Sequence, residues 1–310
     1  MPYSTRQIVK DTQTTSTVTS GLLKPYQAKT FLQQTFDSSV LGSLVSRETR
    51  TERTGEIDKI GIDRRILRKK IENTDDGKRQ GMNFNKLEYA CKSLRLPWEI
   101  TEETFRENIE GENYENIVAG MMTKQVGLDS IDLCLNGDES IDSSVESQDA
   151  DFLKIDTGWI KQASTLGHVV DNAKKNVSVD MWFDMLAAMP TKYNTGSLRW
   201  ICNPLTIQQW QKKLANGDFN NGSTIGDAFR KAPGDIEFIK EPMFPKDSIM
   251  LCDPKNLHIV NTYNVKIRKD ATSKEAIMQD KRFYVIHFDM DSIIEEPDAV
   301  VLLNNLNLKA

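Results

Sequence analysis

The stretch from Thr101 to Gly137, TEETFRENIEGENYENIVAGMMTKQVGLDSIDLCLNG, constrains the fold more than any other part of the chain. Phe105, Ile109, Tyr114, Ile117, Met121, Leu128, Ile131 and Leu135 recur at helical spacing near one stripe. Thr101 is placed to cap the start, and Glu102, Glu103 and Glu107 put negative charge at the positive end of the helix dipole. Gly137 offers a stop. At a rise of about 1.5 Å per residue such a helix is roughly 50 Å long, more than a compact domain requires. Its polar opposite face argues against a membrane span. Gly111, Gly120 and Gly127 weaken it and permit bending, and a shorter core helix broken at Gly111 is the plain alternative. The flanking sequence has to say what so long a spine supports.

Upstream, the first twenty residues are polar and rich in Thr and Ser, as an extended arm would be. A short helix is expected from Pro25, with Phe31, Leu32, Phe36, Val40, Leu41 and Leu44 on its apolar side. From Glu48 to Trp98 the pattern turns to strands around a charged tip. Ile60, Ile62 and Ile66 lead outward, the turn signals Asp76-Gly77 and Gly81 follow, and Leu87, Tyr89, Cys91, Leu94, Leu96 and Trp98 return in alternation. This reads as one long β-hairpin over 48–98. An isolated hairpin is marginal in water, so one that projects needs a neighbour to lie on; a meander packed on its own domain satisfies the same periodicity.

Downstream, residues 138–151 carry six acids and no base, which predicts an exposed loop. Residues 178–190 and 205–218 read as helices around an apolar strand at 198–204. After them come strands in IEFIKEP, SIMLCDP, LHIVNTYNVKIRKD, RFYVIHFDM and AVVLLNN. Tyr284, Ile286, Phe288 and Met290 share one face of the fourth.

The chain has 310 residues, 38% hydrophobic and 27% charged, with no membrane-length apolar run and no apolar core of a secretory signal at its start. Cys91, Cys134, Cys202 and Cys252 are far apart and form no CxxC pair, so they read as buried free thiols of a reducing compartment. Net charge is −5, split into +6 over residues 1–100 and −11 over residues 101–310. A basic front and an acidic rear permit matching between copies, and the overall acidity argues against a dedicated nucleic-acid reader. The sequence lacks HExxH, GxSxG and P-loop patterns, and His168, His258 and His287 have no local ligand or acid–base companion. Asp289 and Asp291 share a face of what reads as a strand end, where Asp is ordinary turn chemistry. No catalytic, cofactor or metal residues are assigned. Arg64, Arg65, Arg68, Lys69, Lys70, Lys78 and Arg79 cluster at the hairpin tip; interleaved acids weaken a phosphate role and favour a salt-bridging contact with another subunit.

In this order the elements resemble the tailed-bacteriophage major capsid proteins of the HK97-like fold. The residues that carry the resemblance are FNKLEY (84–89) running through KSL (92–94) to WEITEE (98–103), IDLCLNGD (131–138), WICNPLT (200–206), and MFP (243–245) followed by IMLCD (249–253). It spans residues 21–303. The resemblance implies an α+β, HK97-like capsid fold with an N-terminal arm (1–30), a short helix (31–47) and an extended β-hairpin loop (48–98). It also implies a peripheral domain with the spine helix (99–139 and 251–290) and an α/β axial domain (140–250 and 291–310). The function it implies is a major head protein that self-assembles through hexamers and pentamers into an icosahedral shell around double-stranded DNA. Such a protein is built in the host cytoplasm, with scaffolding, portal and decoration proteins as further partners, no membrane and no cofactor. An encapsulin-like nanocompartment shell shares the fold, and a monomeric α/β enzyme or binding module is the rival from another class. Some family members cross-link a loop lysine to a neighbour's asparagine; no motif aligns Lys69, Lys70 or Lys78 to that role.

Overall fold

The computed structural model describes residues 21–22, 39–61, 67, 69, 72, 77, 81–107, 114–141, 150–215, 232–262 and 265–308. Most of the expected arm, most of the expected first helix and most of the hairpin tip lie outside these residues.

Strand β1 (Gly21–Leu22) is followed by helix α1 (Val40–Leu44), whose cap Ser39 accepts the Gly42 N–H at 3.2 Å. Leu41 is fully buried, but Val40 and Leu44, expected on the apolar side, are exposed. Strands β2 (Ser46–Arg50), β3 (Thr54–Gly61), β4 (Asn83–Ala90) and β5 (Lys92–Thr101) lead to helices α2 (Glu102–Glu107) and α3 (Tyr114–Asn136). Helices α4 (Ala150–Leu153) and α5 (Trp159–Leu166), strand β6 (His168–Asp171), helix α6 (Val179–Ala188), strand β7 (Arg199–Cys202) and helix α7 (Pro204–Ala215) follow. The last part holds β8 (Phe238–Lys240), β9 (Ile249–Cys252), β10 (Leu257–Thr262), β11 (Lys266–Asp270), helix α8 (Lys274–Gln279), β12 (Lys281–Ile294) and β13 (Val301–Asn304).

The 14-residue β12 is the axis of a six-stranded sheet. It pairs antiparallel with β5 along one edge and with β11 and then β10 along the other; β1 extends β11, and β2 extends β10 in parallel. Tyr284, Ile286, Phe288 and Met290 are buried on the face that alternation predicts. That face meets Val126, Ile131, Leu133, Cys134 and Leu135 of the spine helix α3 in the main core. A five-stranded sheet, β6-β13-β9-β7-β8, forms the second unit under helices α6 and α7. Ser178 caps α6 through the Met181 N–H, and the helix stops before Pro190 as expected.

Two expectations need correction. The hairpin proper is β3 with β4, because β2 and β5 on either side are recruited by β10 and β12, partners more than 150 residues away in sequence. The spine stretch holds two helices with residues 108–113 outside the description, and α3, at 23 residues, is about 35 Å long. Its burial does not follow the expected stripe: Ile117 and Met121 are exposed, whereas Ile131, Leu133, Cys134 and Leu135 near its C-terminal end are all enclosed. Thr101 does cap, accepting the Thr104 N–H at 3.3 Å, but for α2. Gly137 does follow the last helical residue, for a packing reason. A Cβ there would sit 2.4 Å from the Asp156 carbonyl oxygen and 2.6 Å from that of Leu133. Gly158 approaches from the other side, donating its N–H to the Gly137 carbonyl at 2.8 Å.

Candidate assembly surfaces

Alternation divides the hairpin into two faces. Ile57, Leu87 and Tyr89 point to the body and pack with Cys91 on Val260 and Ile293, on the side of the six-stranded sheet away from the spine helix. Polar anchors surround this apolar contact. The Ala90 N–H donates to Asp291 Oδ2 at 2.7 Å. Arg53 reaches Asp289 at 3.4 Å and the Ser93 hydroxyl at 2.5 Å, and Lys59 pairs with Glu295 at 3.5 Å and with Glu296. Burial opposes the charge of Lys59, yet its two glutamates raise its pKa above the usual lysine value.

The outer face is bare. Glu56 stands opposite Glu88 and Asp58 opposite Lys86, with Lys86 paired to Glu56. Farther out Ile60 stands opposite Phe84, and these are 61% and 70% exposed; Met82 beside them is 62% exposed. An exposed apolar cross-strand pair next to a charged band matches the core-and-rim make-up of a binding surface better than that of a solvated strand. Ile117 and Met121 on the spine helix, and Ile277 and Met278 on α8, are further exposed apolar pairs. Ile117 and Met121 belong to the apolar stripe and Ile60 to the outgoing strand that periodicity marks, which reports a shared face but not what covers it. Of the basic tip residues, Lys69 is exposed. Arg64, Arg65, Arg68, Lys70, Lys78 and Arg79 lie outside the described residues.

Asp289 and Asp291 sit in the middle of β12, not at a strand end. Beyond Lys92, where β5 stops, β12 keeps β10 on one edge, and on the edge that β5 leaves the side chain of Gln162 takes a strand's place. Its amide nitrogen donates to the Ser292 carbonyl at 2.6 Å and its oxygen accepts the Ile294 N–H at 3.1 Å. Trp159 adds a bond from its ring N–H to the Ile293 carbonyl at 3.2 Å. Asp156 enters the same gap and lies near the Ser292 hydroxyl at 3.4 Å. Burial and the nearby Asp291 carboxylate push Asp156 up to about 7, and burial likewise raises Asp291.

The four cysteines are free and buried, as expected; burial pushes the thiols of Cys91 and Cys202 up to about 12, far from nucleophilic range. His258, without a companion in sequence, lies in space 3.1 Å from Glu295 and 4.0 Å from Glu48. Among the described residues no three potential ligand side chains converge as a metal site would need.

No family model matches the chain. It is 26% identical over 314 residues to the Bacillus subtilis (strain 168) protein named "Putative prophage capsid protein YqbE", covering 94% of this chain and 96% of that one. Among solved structures, a chain of the satellite phage P4 procapsid including size determination (Sid) protein superposes with a TM-score of 0.70 at 17% identity, covering 100% of both chains. The capsid of the native GTA particle matches at 0.62 and 12% identity over 87% of this chain and 90% of that one. Gordonia phage Cozz matches at 0.58 and 11% identity over 86% of each chain.

The fold is therefore the α+β, HK97-like fold of phage capsid proteins. The resemblance to tailed-phage major capsid proteins read from the sequence stands, and the sequence relative and the structural neighbours together support a phage major capsid protein.

Proposed function

We propose that the chain is the repeating subunit of a phage head, a structural and non-enzymatic role in the virion. The observation that carries this reading is the end-to-end match: a capsid-named sequence relative covers 94% of the chain and a procapsid structure all of it. The exposed pair Ile60–Phe84 on the hairpin supports it, because an exposed apolar patch of this kind marks a surface that a partner covers.

In this reading the six-stranded sheet with the spine helix is the peripheral domain and the five-stranded sheet the axial domain. The hairpin, with the basic cluster at its tip, lies on the next subunit, and the spine helix bends to fit a curved shell. Hexamers and pentamers close the shell by symmetry around double-stranded DNA, bound without sequence preference. Assembly takes place in the host cytoplasm, with scaffolding, portal and decoration proteins as partners.

Charge reversal at Arg64, Arg65 and Arg68 tests the hairpin contact. Closed particles or capsomer rings in negative stain should give way to unassembled, folded subunits. Unchanged assembly in all three variants would remove the tip from the contact.

A further inference from the structure

Asp156 and Asp291 are 4% and 7% exposed, yet they come from segments with separate tasks. Asp291 holds the Ala90 N–H, the last residue of β4, at the root of the hairpin. Asp156 is fixed at the end of the spine helix, its carbonyl against Gly137 in the close Gly137–Gly158 crossing. Asp156 Oδ2 lies 3.4 Å from the Ser292 hydroxyl and Asp291 is the residue before Ser292 on β12, so the two carboxyls meet at one point of the strand, near enough for the Asp291 charge to raise Asp156. Two buried carboxylates that converge in this way cannot both carry charge without cost.

We propose that Asp156 and Asp291 form a proton-sharing latch that ties the hairpin root to the end of the spine helix, closed while the pair holds one proton and loosened when both carboxyls ionise. The surrounding groups do not replace the missing proton. Lys92, at the rim, attracts both carboxylates but is bonded to Glu139 at 2.7 Å. Glu139 itself adds negative charge toward Asp291. Asp289 is engaged by Arg53, at 3.4 Å, and by the Ser93 hydroxyl, at 2.5 Å. The Cys91 and Cys134 thiols stay protonated because burial and these same carboxylates raise them. Asp156, pushed up to about 7, is the member that carries the proton.

The direction follows from linkage. The closed latch binds a proton that the open one releases in the ordinary aspartate range. Opening therefore becomes easier by up to about tenfold per pH unit as pH rises toward 7, and changes little above it. The latch belongs to the single chain and does not depend on the shell reading; in a shell it would set how firmly the hairpin is held at the angle that reaches a neighbour.

The test is amide hydrogen exchange on the full chain from pH 5.5 to 7.5, corrected for the intrinsic pH dependence of exchange. Scattering should confirm one assembly state throughout. Protection of residues 88–93 should fall at least tenfold, while residues 199–202 in the five-stranded sheet stay level. In Asp156→Asn the fall should shrink to threefold or less. Asp291→Asn, which retains an acceptor for the Ala90 N–H, should shrink it too and serves if the first variant does not fold. A fall of the same size in both variants, equal falls in both segments, or level protection at 88–93 in the unmodified chain would overturn the latch.

Discussion

Trp182, at the centre of the five-stranded unit, meets Trp200, Trp210 and Phe238 edge to face at 4.8, 5.8 and 5.6 Å between ring centroids, and is fully buried. Phe84, on the hairpin, is 70% exposed and stands opposite an equally bare Ile60. The first region encloses its central aromatic cluster with its own side chains, with Phe183 and Val169 at its edge still exposed. The second hangs on the body by a small apolar contact and ion pairs, and leaves its outer surface unfinished. The centre of one region is thus filled by its own side chains, whereas the outer face of the other is left to solvent in the single chain.

Substitutions can break this contrast. Trp182→Ala should produce the largest loss of subunit stability, about 3–5 kcal/mol, because ring packing and a large buried area vanish together; urea titration reads it directly. Next comes Asp156. Its folded pKa is raised above the unfolded value, so its contribution is full below about pH 4, falls as pH rises to about 7, and is level beyond. The stability difference between the unmodified chain and Asp156→Asn should move in the variant's favour by up to about 4 kcal/mol between pH 4 and pH 7.5. Lys269→Met should cost about 1–3 kcal/mol. It strips Glu115, 9% exposed, of bonds at 2.7 and 3.0 Å and leaves Arg282 at 3.6 Å as partial cover. Smallest of all, Ile60→Ser with Phe84→Ser should change subunit stability by less than about 0.5 kcal/mol while abolishing assembly. A large loss of subunit stability in that double variant would mean that the hairpin is finished by its own chain after all.

The sequence made the local periods of the fold readable, and less of what lies across them. Alternation at Tyr284, Ile286, Phe288 and Met290 placed a buried strand face correctly, because a strand with one covered face has little choice. The same alternation in Leu94, Leu96 and Trp98 placed β5 in the hairpin instead of beside β12, since pairing partners far apart in sequence leave no local mark. Ile117 and Met121 depart from the expected stripe because helical spacing marks a shared face without saying what covers it. Asp291 read as turn chemistry because its partner, the Ala90 N–H, lies 201 positions away, and no spacing connects the two. The resemblance, carried by residues 84–103, 131–138, 200–206 and 243–253, supplied the fold class that periodicity alone left open.

The central claim is that the outer hairpin face becomes interior only between subunits. The direct measurement is cryo-electron microscopy of particles assembled from the purified chain. Closed shells are expected in which Ile60, Met82 and Phe84 are covered by an adjacent subunit. A chain that remains a 35.2 kDa monomer at every concentration, or shells in which these three side chains still face solvent, would contradict it.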